Sequence, residues 1–397
     1  MKRKRAMSVV VVVICCLLTG CWDKKEINDL AIVDAIGVDI DPDSGERLVY
    51  FQIVNPPGVG GKSGESSKAS VYTYKMSSID SVSGFTVFAN KQIPRMIFSN
   101  DVQLYIMTLR YSQKYYREIL DFIESNPTRR STGYFVATDA PIDTIMNTIV
   151  PVERVPGRAM RSMIELQQKV SGVYGKHIRA RDAINGLSRN RPIVIPFVSV
   201  MNDKVNPQFA KLEAINAPYK SVVFDGGAVY VKDRLTGKID YETNNLSNLL
   251  SGDADRYLLN YSDGEGGIEV MLEDPIIDRK LAIAGDTPIL SLNINASLRI
   301  YLDNRTKDSD YFDVHEIERL MTKEFEKRCL KLVQLTRKKS WDLLGIQDQI
   351  DRKRSKVWSG YKTDSNAWKK TDVHISADFK VKWLGRTKSS YGRSESK

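Results

Sequence analysis

The chain has 397 residues, of which 42% are hydrophobic and 27% charged, and its net charge at pH 7 is +10. This length and apolar content predict two or three domains with hydrophobic cores. They exclude a disordered chain, a collagen-like repeat and a small disulfide-stabilised scaffold. A polytopic membrane protein is also excluded, because the only long apolar run lies at the extreme N-terminus.

Residues 1–20 have the pattern of a secretory signal peptide. Four basic residues at positions 2–5 precede the apolar run Ala6–Leu18, which is the order found in such signals. A helix of this length covers only about 20 Å, short of a hydrocarbon core of about 30 Å, so a permanent span is disfavoured. The next residues, Leu18–Cys21 (LTGC), resemble the bacterial lipoprotein box.

Cys21 is therefore the predicted lipidation site. The resemblance implies a diacylglycerol on the Cys21 thiol, cleavage after residue 20 and an N-palmitoyl group on the new N-terminus. Each buried methylene contributes about 0.8 kcal/mol, so two or three acyl chains form a durable anchor where one does not. We expect the mature protein to be tethered to the outer face of the cytoplasmic membrane. Once Cys15 and Cys16 are removed and Cys21 is acylated, Cys329 is left as a single core thiol and no disulfide forms.

Positive charge is concentrated toward the C-terminus. Residues 327–397 contain 19 basic and 7 acidic residues, a net charge of +12. Such a surface fits anionic lipid headgroups or an acidic partner; a solvated basic surface without a partner is the alternative. Nucleic acid is not an expected partner of a protein held outside the membrane.

Residues 21–190 are predicted to form an N-terminal α/β domain, because strand and helix patterns alternate along them. Residues 56–70, which are rich in Pro, Gly and Ser, are predicted to be a mobile loop. The predicted strands are Ile27–Ile40, Leu48–Val54, Val71–Met76, Val102–Leu109 and Tyr134–Thr138. The predicted helices are Ile79–Lys91, Tyr111–Glu124, Ala140–Thr148, Glu153–Val170 and Arg179–Leu187.

Two prolines, Pro192 and Pro196, indicate a boundary, and residues 191–280 are predicted to form a hairpin-rich middle α+β domain. A hairpin is expected around a turn at Asp225–Gly227. A short helix over Glu242–Leu250 follows.

Residues 281–397 are predicted to form a C-terminal α+β domain with a basic surface. Apolar and polar residues alternate over Leu290–Leu302 and again over Val373–Trp383, which predicts two strands with one buried face each. Asp313 is the expected N-cap of a long helix between them, with Cys329 on its apolar face. The predicted fold class is α+β (mixed α/β), with three consecutive domains that each contain a sheet and packed helices.

No motif predicts catalysis, a cofactor or a metal site. Pro56–Ser63 (PPGVGGKS) ends like a phosphate-binding P-loop, but Pro56 replaces the first glycine and removes a backbone donor. Asp253 and Asp255 lie in a segment typical of a solvated turn rather than of a glycosidase pair. No nucleophile elbow of the Gly-x-Ser-x-Gly type has histidine support. The histidines are too dispersed to share a zinc ion; they are His177, His315 and His374.

A specific motif begins directly on the predicted lipidation site. The run Cys21–Asp39 (CWDKKEINDLAIVDAIGVD) contains C-W-D-x-x-E-[I/L] followed by A-x-x-x-A-x-G-[I/V]-D. Gln52–Pro56 (QIVNP), Gly227–Gly237 (GAVYVKDRLTG) and Trp341–Gly345 (WDLLG) are further matches. These motifs resemble the Ger(x)C family, the C-subunit lipoproteins of spore germinant receptors. A departure is Asn100–Val102, where relatives often carry a histidine.

The resemblance implies a three-domain, mixed α/β lipoprotein of the spore inner membrane without enzymatic activity or cofactor. It also implies assembly with a multipass A subunit and a transporter-like B subunit, the latter taken as the germinant binder. The alternative function is a solute-binding lipoprotein of a transporter, which requires two similar lobes around a cleft. A cell-wall lytic enzyme is a third hypothesis.

Overall fold

The computed structural model describes residues 26–59, 69–78, 81–148, 150, 152–189, 191–201, 221–262, 264, 266–303, 305 and 313–383. Cys21 and the predicted signal peptide lie outside the described residues, as does most of the predicted loop at 56–70. The described strands form two sheets with associated helices. The predicted mixed α/β fold class is therefore confirmed.

Nine strands form the larger sheet, in the order β3-β2-β1-β5-β6-β7-β8-β9, with β4 paired to β1. Its central strands β1, β5, β6 and β7 are parallel, and the strands on both sides of them are antiparallel. The strands are β1 (Leu30–Ile40), β2 (Arg47–Val54), β3 (Val71–Ser78), β4 (Met96–Phe98), β5 (Leu104–Thr108), β6 (Tyr134–Thr138), β7 (Ile193–Met201), β8 (Ser221–Val231) and β9 (Arg234–Ile239).

Helices cover both faces of the larger sheet, as parallel strands require. On β5, Tyr105 and Met107 join one apolar cluster, whereas Leu104 and Ile106 join the other. The first cluster is covered by α2 (Phe85–Ala89), α3 (Leu109–Glu124) and α6 (Ala180–Gly186). The second is covered by α4 (Ile142–Met146) and α5 (Pro156–Val170). A single-turn helix, α1 (Pro56–Val59), follows β2.

Four strands form the smaller sheet, in the order β10-β11-β12-β13. These are β10 (Arg256–Ser262), β11 (Gly267–Ala284), β12 (Thr287–Asp303) and β13 (Asp372–Trp383). The helices beside it are α7 (Tyr241–Ser251), α8 (Val314–Lys339), α9 (Ile346–Arg352), α10 (Ser359–Thr363) and α11 (Ala367–Lys370). None of the helices in the described ranges combines the length and apolarity needed to cross a bilayer.

The long helix α8 confirms the predicted apolar stripe. Met321, Phe325 and Cys329 are buried against the smaller sheet, so Cys329 is a core residue as predicted. The Asp313 side chain accepts hydrogen bonds from the amides of His315 (2.9 Å) and Glu316 (3.2 Å). This N-cap satisfies donors that the helix itself leaves unpaired.

The predicted turn at Asp225–Gly227 is wrong, because β8 runs through it as one strand. Gly226 has a φ of +63°, and a Cβ there would collide with the carbonyl oxygen of Ile239. The pairing of β8 with β7 also shifts register between Pro196 and Val198. Asp225 and Gly226 therefore form a bulge in β8, and not a hairpin turn, and Gly226 lets two backbones approach closely there.

The structure also differs from the expectation that each of three domains contains its own sheet, because the described strands form two sheets. The strands of residues 191–280 divide between the sheets: β7, β8 and β9 extend the larger one, whereas β10 and β11 belong to the smaller one. No strand was predicted for β10 or β11. Pro275 interrupts the pattern of β11 at a register shift, beside Asp274 with a φ of +52°. The division into three domains remains a prediction.

Candidate functional site

The motif strand β1 is buried in the centre of the larger sheet. Asp39 accepts hydrogen bonds from Thr108 Oγ1 (2.6 Å), Arg110 Nε (2.6 Å) and the Ile40 amide (2.8 Å). Gly37 lies against α4, where a Cβ would collide with the side chain of Ile142. The glycine of the motif is therefore explained by packing, and the aspartate by an ion pair between its buried carboxylate and the half-exposed Arg110.

A second buried carboxylate lies on the same strand. Asp34 is bonded to Arg158 Nε at 3.3 Å, while its Oδ2 has no hydrogen-bond partner among the described residues. Burial raises the pKa of Asp34, and the Arg158 charge opposes this rise. Oδ2 faces Gly157, where a Cβ would collide with it. This close packing leaves no space for a substrate.

The segment Trp341–Gly345 joins the two sheets. The Trp341 side chain is 1% exposed, and a Cβ on Gly237 of β9 would lie 2.9 Å from its ring. The Asp342 carboxylate accepts hydrogen bonds from the amides of Ile346 (2.8 Å) and Gln347 (2.7 Å) at the start of α9. Burial raises the pKa of Asp342 to about 6, although both amide bonds oppose this.

At the same junction, asparagine side chains of α7 donate hydrogen bonds to the loop that follows α5. Asn244 and Asn248 donate to the carbonyl oxygen of Val173 at 2.8 and 2.6 Å, and Asn245 donates to that of Ser171 at 2.8 Å. Side-chain amides thus satisfy a loop that would otherwise carry buried, unpaired carbonyl groups. The junction is held by direct hydrogen bonds as well as by apolar packing.

A cleft opens at this junction, with a cavity volume of about 80 Å³. The His177 ring lies between Asp182 (3.5 Å) and Asp253 (3.6 Å), and Arg191 Nη2 lies 3.2 Å from Asp253 Oδ2. Buried Ser247 lines the same cleft. His177 therefore bridges two carboxylates across the cleft.

The remaining histidines and the P-loop-like segment, which the sequence analysis considered as possible sites, lie apart from one another. His315 lies beside Glu318 on α8 (3.3 Å), and His374 lies on the exposed side of β13. The carbonyl oxygen of Gly58 accepts a hydrogen bond from Arg154 (3.3 Å), and the rest of the P-loop-like segment lies outside the described residues. Across the described ranges, no group of three or more His, Cys, Asp or Glu residues is arranged to hold a metal ion.

Sequence reasoning missed the cleft altogether. Its charged residues come from α6 and the segment before it, from the segment before β7 and from the loop after α7, so no single local spacing relates them. The nearest signal was the WDLLG motif, since Gly345 lies against Arg191: a Cβ there would be 3.2 Å from Arg191 Cδ.

Comparison with known proteins covers nearly the whole chain. Residues 23–200 match the family described as "Spore germination protein N-terminal domain". Residues 225–385 match "Spore germination B3/ GerAC like, C-terminal". Spore germination protein KC of Bacillus subtilis (strain 168) is 25% identical over 381 residues, which is 91% of each chain. A second protein of that strain, YfkR, is 22% identical over 396 residues, covering 94% of this chain and 95% of its own.

A solved structure has the same fold. The crystal structure of the GerBC protein superposes with a TM-score of 0.52 at 14% identity, covering 87% of this chain and 96% of that one. The two family matches occur in tandem, and the second begins within β8, so it includes β9 of the larger sheet as well as the smaller sheet. The chain belongs to the Ger(x)C family of spore germination proteins.

Proposed function

We propose that this chain is the lipid-anchored C subunit of a spore germinant receptor. Cys21 would hold it on the outer face of the spore inner membrane, where it would contact the integral A and B subunits. One observation carries the proposal: the lipoprotein box LTGC ends two residues before the start of the first Ger(x)C family match at residue 23. An anchor placed there confines the protein to a thin layer at the membrane and raises its effective concentration against embedded partners.

The described architecture favours a scaffold over the alternatives. A solute-binding lipoprotein requires two similar lobes, whereas one sheet here has nine strands with a parallel centre and the other has four. A lytic enzyme requires a nucleophile or a paired acid and base. Within the described part of the chain, the buried Asp39 and the cleft residue Asp253 are engaged in ion pairs.

Co-purification tests the proposed assembly. A C-terminally tagged chain, extracted from spore membranes with mild detergent, is expected to bring down one multipass subunit and one transporter-like subunit in fixed proportion. The untagged chain, carried through the same extraction, controls for nonspecific retention. Recovery of the tagged chain without either integral subunit, under conditions where those two subunits stay together, would contradict the proposed assembly.

A further inference from the structure

A short segment after α9 concentrates positive charge. Residues 352–363 (RKRSKVWSGYKT) contain five basic residues and no acidic residue. The flanking acidic residues are Asp351 and Asp364, and Asp364 is paired with Lys370 at 2.8 Å. The segment is therefore a local cationic surface and not one side of an alternating charge pattern.

One side of the segment is hydrogen-bonded to the β11–β12 hairpin. Lys353 Nζ donates to the carbonyl oxygen of Leu281 (2.8 Å), and Tyr361 Oη donates to that of Asp286 (2.6 Å). The Trp358 ring is buried and packs against Tyr361, with ring centroids 5.9 Å apart. These contacts hold the backbone in place, so its outward side chains form a defined surface.

The solvent-facing side of the segment has several basic side chains and one exposed apolar side chain. Arg352, Arg354, Lys356 and Lys362 are exposed. Val357, between them, is 65% exposed although its neighbour Trp358 is buried. Among the described residues, neither the Arg354 side chain nor the Lys356 side chain has a hydrogen-bond or ion-pair partner. Cations around a protruding apolar residue suit an anionic lipid surface, where the charges meet headgroups and the apolar side chain enters the interface.

The segment starts within one short helix of the end of the larger sheet at which β1 begins. Because β1 and β7 are parallel members of one sheet, their first residues lie at the same sheet edge. Leu30 begins β1, and Arg191, just before β7, contacts Gly345 at the start of α9. The seven-residue helix α9 is about 10 Å long. Nine residues from Cys21 to Leu30 reach at most about 30 Å, so a bilayer holding Cys21 lies near this end.

We propose that the segment 352–363 contacts anionic phospholipid headgroups of the membrane that holds Cys21. This inference rests on the proposed function, since it takes the anchored membrane as the surface. The contact would orient the protein on the bilayer, whereas the acyl chains only tether it. An acidic protein partner for the same segment is the competing outcome of the experiment below.

Vesicle co-sedimentation tests the contact without the anchor. The mature chain carrying Cys21→Ala is mixed with vesicles of phosphatidylcholine alone or with an equal part of phosphatidylglycerol. We expect binding only to the anionic vesicles. The double variant Arg354→Gln/Lys356→Gln is expected to reduce the partition coefficient about thirty-fold, as the loss of two basic residues near an anionic surface predicts. Val357→Ser is expected to reduce it about five-fold.

The matched control is Lys114→Gln/Arg117→Gln, which removes two exposed charges from α3 on the larger sheet. It is expected to bind as the parent does. Equal binding to both vesicle types, or an equal loss in the control, would overturn the proposal. So would absent vesicle binding combined with loss of receptor co-purification in Arg354→Gln/Lys356→Gln, which would assign the segment to an acidic protein. Because Cys21 is absent throughout, failure here leaves the proposed anchor intact.

Discussion

A chain that lacks the Cys21 thiol is expected to leave the membrane and to lose germinant response together. The test variant carries Cys21→Ala and has residues 1–20 replaced by an ordinary cleavable secretory signal, so that no uncleaved apolar segment remains. Without acyl chains the protein loses the large apolar area that holds it at the bilayer. Its effective concentration against the embedded subunits then falls.

Fractionation of spores, followed by immunoblotting, measures retention, and loss of optical density after nutrient addition measures germination. The control is Cys329→Ala, which removes the buried thiol of α8 and leaves the anchor unchanged. It is expected to stay in the membrane fraction and to support germination. A Cys21→Ala chain that still sediments with membranes and supports germination would refute lipid anchoring as the basis of function.

Removal of the Trp341 ring is expected to cause the largest loss of stability within the described fold. Trp341 is fully buried between the smaller sheet's core and Gly237 of the larger sheet. Truncation of a buried tryptophan to alanine typically costs about 3–5 kcal/mol, because the cavity only partly closes. Trp341→Ala should lower the free energy of unfolding by about 4 kcal/mol, as measured by urea denaturation followed by circular dichroism.

Two companion variants separate packing from other effects. The Trp341 Nε1 atom has no hydrogen-bond partner among the described residues. Trp341→Phe therefore loses volume but no hydrogen bond, and should cost less than half as much. Leu330→Ala alters a 51% exposed residue of α8 and should change the free energy of unfolding by no more than about 0.5 kcal/mol. An equal effect of Trp341→Ala and Leu330→Ala would contradict the role of the ring at the junction.

Regular periodicity made much of the fold predictable. The strand β12 and the helix α8 each bury one face, so apolar residues recur every second or every fourth position. The predicted β6, Tyr134–Thr138, matches the observed strand. In each case, local sequence and tertiary packing require the same pattern.

Where the structure differs from the sequence-based predictions, the cause is a contact between distant parts of the chain. Asp225–Gly227 has the composition of a turn, yet the carbonyl oxygen of Ile239 on the neighbouring strand requires a glycine inside β8. Pro275 is tolerated in β11 because it lies at a register shift. The cleft depends on His177, Arg191 and Asp253 meeting across the junction of the two sheets. Such contacts between distant segments leave no periodic signal in one sequence.

Mass spectrometry of the protein extracted from spore membranes tests the central claim most directly. The N-terminal peptide is predicted to begin at Cys21 and to carry a diacylglycerol on sulfur and a fatty acid on nitrogen, with residues 1–20 absent. A protein recovered from the cytosol with residues 1–20 intact and no fatty acid on Cys21 would contradict the account.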